Sequence, residues 1–414
     1  MKILHTSDWH LGRTLYGRSR YREFESFLEW LSGIIESQGI DALFVSGDIF
    51  DTTTPGNRTQ ELYYRFLQRL FRSSCRHVVV TGGNHDSPTF LDAPKLLLRE
   101  FDVHVLGAMT DKVEDEVLLL RDARGQPEAV VCAVPYLRDR DIRSVEPGEG
   151  VEEKNRKLIE GVGRHYAEVT QVADELRNSL GGNIPLIATG HLFAAGGTTV
   201  EGDGVREIYV GSLARIAVSA FPGIIDYLAL GHLHVAQKVG GADRLRYCGS
   251  PIPMGFGEAG QQKLVLQVDF DGRSGRITEI PVPCFQPLER LSGSLDELSA
   301  SIAALRATGS TAWLEIEYRG DEPASSVQEV LDGAVAGSLL EIRRIRSNRS
   351  VREALRQISE AETLEQLDRE AVFLRCLDSR GTDESVRPLL MEYYREVVRS
   401  IDEDDAMSEA RDGI

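Results

Sequence analysis

Five times along this chain an apolar, strand-like run stops at a small residue and then at a side chain that can bind a metal ion. Ser7-Asp8-Trp9-His10-Leu11-Gly12 follows the first run, Gly47-Asp48-Ile49-Phe50-Asp51 the second, and Gly82-Gly83-Asn84-His85-Asp86 the third. Two later runs end in Gly190-His191 and in Gly231-His232-Leu233-His234. Near-continuous apolar runs alternating with amphipathic stretches are the signature of strands buried on both faces in an α/β fold. Open α/β sheets bind ligands beyond the carboxyl ends of their strands. The fold must therefore bring these strand ends to one crevice.

The rest of the pattern fills in that architecture. Strands are expected at 2–7, 42–46, 78–81, 130–134, 185–189 and 227–230. A helix over 21–38 places Phe24, Phe27, Leu28, Leu31, Ile34 and Ile35 on one face and stops at Gly39, and a second helix spans about 57–72. Runs at 244–248, 263–270 and 276–281, separated by Gly-rich turns, read as a β-meander. Around Pro281, Pro283 and Pro287 the pattern resets to a strand, helix, strand, helix, strand series over 288–346. From Ser350 onward only helical segments are legible, including 388–401, and an acidic tail starts at Asp402. The division expected is 1–282, a small α/β domain over 283–350, and a helical segment with its tail over 351–414.

Charge narrows the function. Lys and Arg number 47 against 65 Asp and Glu, a net charge of −18, so the chain cannot coat nucleic acid by bulk attraction. A nucleic-acid substrate would need local basic patches, metal ions or a partner. The five cysteines are far apart and form no CxxC pair, which suits a reducing cytosol better than a disulfide framework or a zinc ribbon. No stretch approaches the roughly 18–20 uncharged apolar residues of a membrane span, and no secretory leader pattern opens the chain, so a cytoplasmic location is expected. There is no Gly-x-x-x-x-Gly-Lys-Ser/Thr loop, so ATP hydrolysis is not expected of this chain.

The strand-end donors are Asp8, His10, Asp48, Asn84, His191, His232 and His234. Seven mixed oxygen and nitrogen ligands are too many for one metal ion and suit two, with a carboxylate such as Asp48 able to bridge them. The mixture favours Mn, Fe or Zn over Ca or Mg. Two ions about 3.5–4 Å apart can clamp a phosphate for in-line displacement. His85 stands beside a ligand that Asn84 already supplies, which favours a catalytic role for it. His5, His77, His104 and His165 read as packed or surface histidines. Arg13, Arg18, Arg20 and Arg22 interleave with Tyr16 and Tyr21 just after the first block, where Arg13, Tyr16, Arg18 and Arg20 could grip a DNA backbone and stack a base. A second basic cluster is Arg343, Arg344, Arg346, Arg349, Arg352 and Arg356.

These blocks resemble the calcineurin-like metallophosphoesterases, and in detail the bacterial SbcD family of nuclease subunits. The block Tyr247-Cys248-Gly249-Ser250-Pro251-Ile252-Pro253 and the small domain after it carry the more specific part of the likeness. The resemblance implies a β-sandwich flanked by helices, with a small α/β capping domain and C-terminal helices. It implies one Mn ion on Asp8, His10, Asp48 and His234, and another on Asp48, Asn84, His191 and His232. His85 would then serve the leaving oxygen, Asp86 would help orient it, and Asp51 follows the SbcD-like pattern. It further implies DNA as substrate, cut as a double-strand exonuclease and single-strand or hairpin endonuclease in repair and recombination. The implied assembly is a homodimer within a heterotetramer, with an SbcC-like coiled-coil ATPase docked by Leu364, Leu367, Val372, Phe373, Leu374, Leu377, Leu389, Leu390, Tyr393, Tyr394 and Val397.

Thr52 and Thr53 stand where protein phosphatases of this superfamily carry Arg-Gly, and Asp86 where they carry Glu, which weakens a phosphoprotein substrate. A small-molecule or cyclic-nucleotide phosphodiesterase is the alternative enzyme, disfavoured by the extra domain and helices. A non-catalytic scaffold predicts missing donors, yet all seven are present.

Overall fold

The computed structural model describes residues 1–143, 149–194, 197, 216–320 and 322–347, with scattered positions between 370 and 395. The chain divides into two units, Met1–Glu289 and Arg290–Ile414. The first is built on two six-stranded sheets. One runs in the order Ser274–Pro281, Leu264–Asp271, Lys2–Thr6, Ala42–Ser46, His77–Thr81, Val103–Leu106. The other runs Gln237–Val239, Ala242–Tyr247, Tyr227–Gly231, Leu186–His191, Pro127–Cys132, Val117–Arg121.

The strands that carry the motifs pair in parallel, with Ile3 opposite Ala42, Ala42 opposite His77, and Tyr227 opposite Ile187. Their carboxyl ends consequently lie side by side within each sheet. The sheets face each other through Ile3, Ala42, Phe44 and Val79 on one side and Ala129, Val131, Ile187 and Ala229 on the other, all fully buried. Cutting Phe44 to Ala would leave a void in this layer and cost about 3–5 kcal/mol.

Helices close the outer faces. Tyr21–Gln38 and Asn57–Leu70 lay Phe24, Phe27, Leu31 and Phe66 on Leu4, Leu43 and Val45, so the amphipathic stripe of the second helix is spent on the core. Val151–Ser179 lays Val162, Tyr166 and Val169 on Val130, Leu186 and Leu228. The Tyr21–Gln38 helix stops where expected because Gly39 takes a left-handed backbone (φ 62°) and lets the Ile40 N–H return to the Ile35 carbonyl at 3.0 Å.

One expectation fails. The runs near 244–281 are not a meander: Ala242–Tyr247 pairs with Tyr227–Gly231 in one sheet, and only Leu264–Asp271 and Ser274–Pro281 form a hairpin, in the other. The chain leaves the first of these sheets at Gly249 (φ 76°), and spacing between runs does not reveal such a change of sheet. The strands Val103–Leu106 and Val117–Arg121 had no distinct signal, being short runs at sheet edges.

The second unit is a three-stranded sheet in the order Leu288–Gly293, Trp313–Tyr318, Glu341–Ser347, with helices Leu295–Ala307 and Ala324–Val335. Its core gathers Leu298, Ile302, Leu314, Ile316 and Leu331. Ser294 caps the first of these helices in a reciprocal bond with Glu297. Leu364, Leu367, Val372, Val397, Arg349, Arg352 and Arg356 lie outside the described residues. No helix among the described residues is long and apolar enough to cross a membrane.

Candidate active site

The loops after the first two parallel strands continue side by side. The Asp8 N–H donates to the Gly47 carbonyl at 3.0 Å, and the His10 N–H to that of Asp48 at 2.9 Å. Bending there forces an unusual backbone. Of six non-glycine residues with positive φ among the described residues, four are Asp8, His10, Asp48 and His232. Left-handed backbone at such residues costs on the order of 1 kcal/mol or more each and persists where the surroundings impose it. The glycines of the motifs have a steric reason as well: a Cβ on Gly47 would overlap His191 Nδ1, one on Gly83 the Asp48 carboxylate, and one on Gly231 the Ser46 carbonyl.

The donors gather in two overlapping sets. In one, His10 Nε2 and His234 Nε2 stand 3.2 Å apart, and Asp8, His10 and His234 each present a ligand atom within 4.8 Å of the others. In the other, His191 Nε2 and His232 Nδ1 lie 3.0 Å and 3.1 Å from Asn84 Oδ1. Asp48 Oδ2 joins the sets, 3.5 Å from His10 Nε2 and 3.3 Å from His191 Nε2.

Tautomers follow from the far side of each ring. A carbonyl only accepts, so His191 Nδ1–H donates to Ser46 O at 3.0 Å, and Nε2 is the nitrogen that offers a lone pair once the ring is neutral. His10 Nδ1 faces Asp51 Oδ1 and His234 Nδ1 faces Glu258 Oε1, both at 3.4 Å, and a carboxylate at that distance favours the proton on Nδ1 and the Nε2 lone pair inward. Imidazole lone pairs, the Asn84 carbonyl and the Asp48 carboxylate thus converge on common points, and only a cation or a proton satisfies them. This donor chemistry fits divalent metal ions.

The electrostatics agree. Burial holds His10 down to about 4 against the pull of Asp51 and Asp48, and burial with His191 beside it holds His232 down to about 3, so both rings are neutral near pH 7. His191 is the exception. Burial lowers it, but Asp48, Asp8 and the Ser46 carbonyl outweigh burial and raise it to about 9. In the metal-free chain the His191 proton supplies the positive charge that the convergent lone pairs demand. Asp48 is held well below the ordinary carboxylate range: burial opposes its ionisation, and His191, His10 and His85 together prevail.

Comparison with known proteins meets this geometry. The family model described as calcineurin-like phosphoesterase matches residues 1–236, and that described as type 5 capsule protein repressor C-terminal domain matches 284–380. The SbcD subunit of nuclease SbcCD from Escherichia coli (strain K12) is 36% identical over 97% of this chain and 98% of its own length. The SbcD subunits from Rhodobacter capsulatus and Bacillus subtilis are 35% and 33% identical over 81% and 77% of this chain, and over 84% and 79% of theirs. The chain belongs to the SbcD nuclease subunits of the calcineurin-like phosphoesterases. A dimetal phosphatase from Danio rerio covers 68% of this chain and 99% of its own at 12% identity and a TM-score of 0.38, a likeness too loose to carry weight.

In this SbcD-family chain all seven expected donors lie at the crevice, with His85 beside them. The His85 N–H donates to Asp48 Oδ1 at 2.9 Å, its ring meets that of His10 edge-on at 4.8 Å, and its Nδ1 lies 3.1 Å from the Asp51 carbonyl. Asp51 sits between His10 and Arg13, whose Nη1 is 3.1 Å from it, so its carboxylate aims a site histidine rather than merely closing a turn. Tyr16 is exposed and stacks on Phe256, and Arg18 is exposed on the same small hairpin.

Two roles need correction. Arg20 is buried: its guanidinium makes a bidentate pair with Glu23 at 2.7 Å and 2.8 Å and reaches the Pro253 carbonyl at 2.6 Å, so it is not available to DNA. Asp86 makes no bond to the His85 ring. Its carboxylate takes the N–H groups of Ile49, Phe50 and Gly83 at 2.9–3.1 Å, clamping the two metal-side loops together.

Sequence reasoning missed Glu258 and Lys263. Glu258 is fully buried behind His234, accepts from Ser250 Oγ at 3.1 Å and pairs with Lys263, whose Nζ also donates to the His234 carbonyl at 3.0 Å. Their placement explains part of the 247–253 block. Tyr247 Oη donates to Leu192 O at 2.6 Å and pins the loop after His191, while Ser250 steadies Glu258.

Proposed function

We propose that this SbcD-family nuclease hydrolyses DNA phosphodiesters at a two-ion centre with Mn as the working metal. One ion would be held by Asp8, His10, Asp48 and His234, the other by Asp48, Asn84, His191 and His232. The observation that carries this reading is the single oxygen Asp48 Oδ2, which faces an imidazole nitrogen of each set at 3.3–3.5 Å. Two divalent ions bound there supply Lewis acidity to the phosphate and lower the pKa of an attacking water.

The protein's own groups do the rest. Donation of His85 Nδ1–H to the Asp51 carbonyl leaves Nε2 as the ring nitrogen that would exchange a proton with the leaving oxygen. Arg13, partly exposed beside Asp51, would meet a phosphate, and Tyr16 and Arg18 would offer a face for a base and a charge for the backbone. Because the chain carries no phosphate loop, an SbcC-like coiled-coil ATPase would supply nucleotide-driven steps. It would dock on the C-terminal helices, with a homodimer inside a heterotetramer acting on nucleoid DNA in the cytoplasm.

The test is nucleotide release from linear duplex and hairpin DNA by the purified chain, with Mn or with chelator, beside His85→Ala. Metal-dependent cleavage lost in that variant is the expected result. Cleavage of a bis-aryl phosphodiester but never of DNA, even with the ATPase partner added, would contradict it.

A further inference from the structure

The opposite end of the first sheet carries a second convergence of donors. His77 opens the His77–Thr81 strand, whose other end leads to Asn84, and the two strand ends are about 13 Å apart. The neighbouring strand pairs Val78 with Val103 and Val79 with His104, which brings Asp102 and His104 alongside His77. His77, Asp102 and His104 each present one ligand atom, all within 4.8 Å of one another.

The His77 ring is set for ligation. Its Nε2 lies 2.8 Å from the Arg121 carbonyl, a contact that requires Nε2–H; the Arg121 N–H, at 3.3 Å from the same nitrogen, is the longer and weaker approach. Nδ1 then carries a lone pair. It is buried and has no hydrogen-bond partner, on a residue only 7% exposed. An unpaired buried acceptor costs on the order of 1–3 kcal/mol, and a cation would recover that cost. Burial first, then His77 and Arg99, hold the His104 imidazole below its ordinary value against the pull of Asp102. The His77 and His104 rings lie 6.3 Å apart, tilted by 33°.

We propose that His77 Nδ1, His104 and the Asp102 carboxylate form a site for one divalent cation of the zinc class, separate from the catalytic centre. Two imidazoles and a carboxylate suit a borderline ion, whereas Mg or Ca would ask for oxygen alone. The donation from His77 to Arg121 is the outer-shell bond that aims such a ligand. The ion would tie the edge strand Val103–Leu106 to its neighbour and, through Arg121, to the second sheet.

Zinc titration of the full-length chain, with Asp48→Ala and His191→Ala disabling the catalytic centre, tests this by calorimetry. One zinc per chain is expected, and adding either His104→Ala or Asp102→Asn should weaken it at least tenfold. Asn tolerates the left-handed backbone of Asp102 (φ 55°), so that variant keeps the turn. Cobalt added to the same parent chain should develop visible d–d bands, a readout that needs no further substitution. No saturable zinc binding, no cobalt bands, or an affinity that the two substitutions leave within threefold would overturn the proposal.

Discussion

One half of the catalytic centre is aimed by main chain, the other by carboxylates. His191 is turned by the Ser46 carbonyl and meets Asn84, which follows Gly83 in a tight loop, whereas His10 and His234 are turned by Asp51 and Glu258. A main-chain support survives any substitution that keeps the strand, but a side-chain support can be removed singly. The two proposed metal positions should therefore differ in how easily they are lost.

Asp48→Ala should have the largest effect, because Asp48 Oδ2 faces an imidazole nitrogen of each set: nuclease activity should fall to background and bound metal from two ions towards none, measured by elemental analysis. Normal metal content in that variant would erase the division into two joined halves. His85→Ala should cost about 10²–10⁴-fold in kcat while both ions stay. Loss of metal there would make His85 a ligand and redraw one of the halves.

The comparison is sharpest in the supports. Glu258→Gln should weaken one ion about 10–100-fold and leave the other unchanged, read as two separated steps in a manganese titration. Ser46→Ala, by contrast, retains the carbonyl that aims His191 and deletes only a buried hydroxyl that has no partner, so both affinities should stay within about threefold. Equal losses in the two variants would end the distinction.

Acid probes what the halves share. His5 lies fully buried at the sheet interface, 2.9 Å from Tyr227 Oη, and burial holds it down to about 3 from an ordinary 6.5. The unfolded chain then binds the extra proton between those values, so stability is complete above pH 6.5 and falls as pH drops towards 3. From pH 7 to pH 5 the loss is roughly 2 kcal/mol. His5→Gln should flatten that slope in chelator-treated protein, followed by denaturant melts at each pH.

The metal half of this molecule was legible because it is written in residue types that have few other uses at a strand end. Asp-x-His, Gly-Asp, Gly-Asn-His and Gly-His-x-His name their own ligands, and parallel pairing brings them together whatever the loops do. The supports were not legible, since Glu258 and Lys263 sit in a Gly-rich loop with no pattern and act only after folding places them behind His234. Arg20 does carry a sequence signal of its role: Glu23 stands at i+3, the spacing of an intrahelical pair, and the pair is buried. His77 and His104 looked like isolated histidines because only strand pairing makes them neighbours. The false meander failed for the same reason, as run spacing says nothing of which sheet receives a strand.

The centre is tested most directly by anomalous diffraction from crystals of the chain soaked in manganese. Two peaks are predicted, both in contact with the Asp48 carboxylate, one beside His10 and His234 and the other beside Asn84, His191 and His232. A single peak, or two that do not share Asp48, would contradict the two-ion centre.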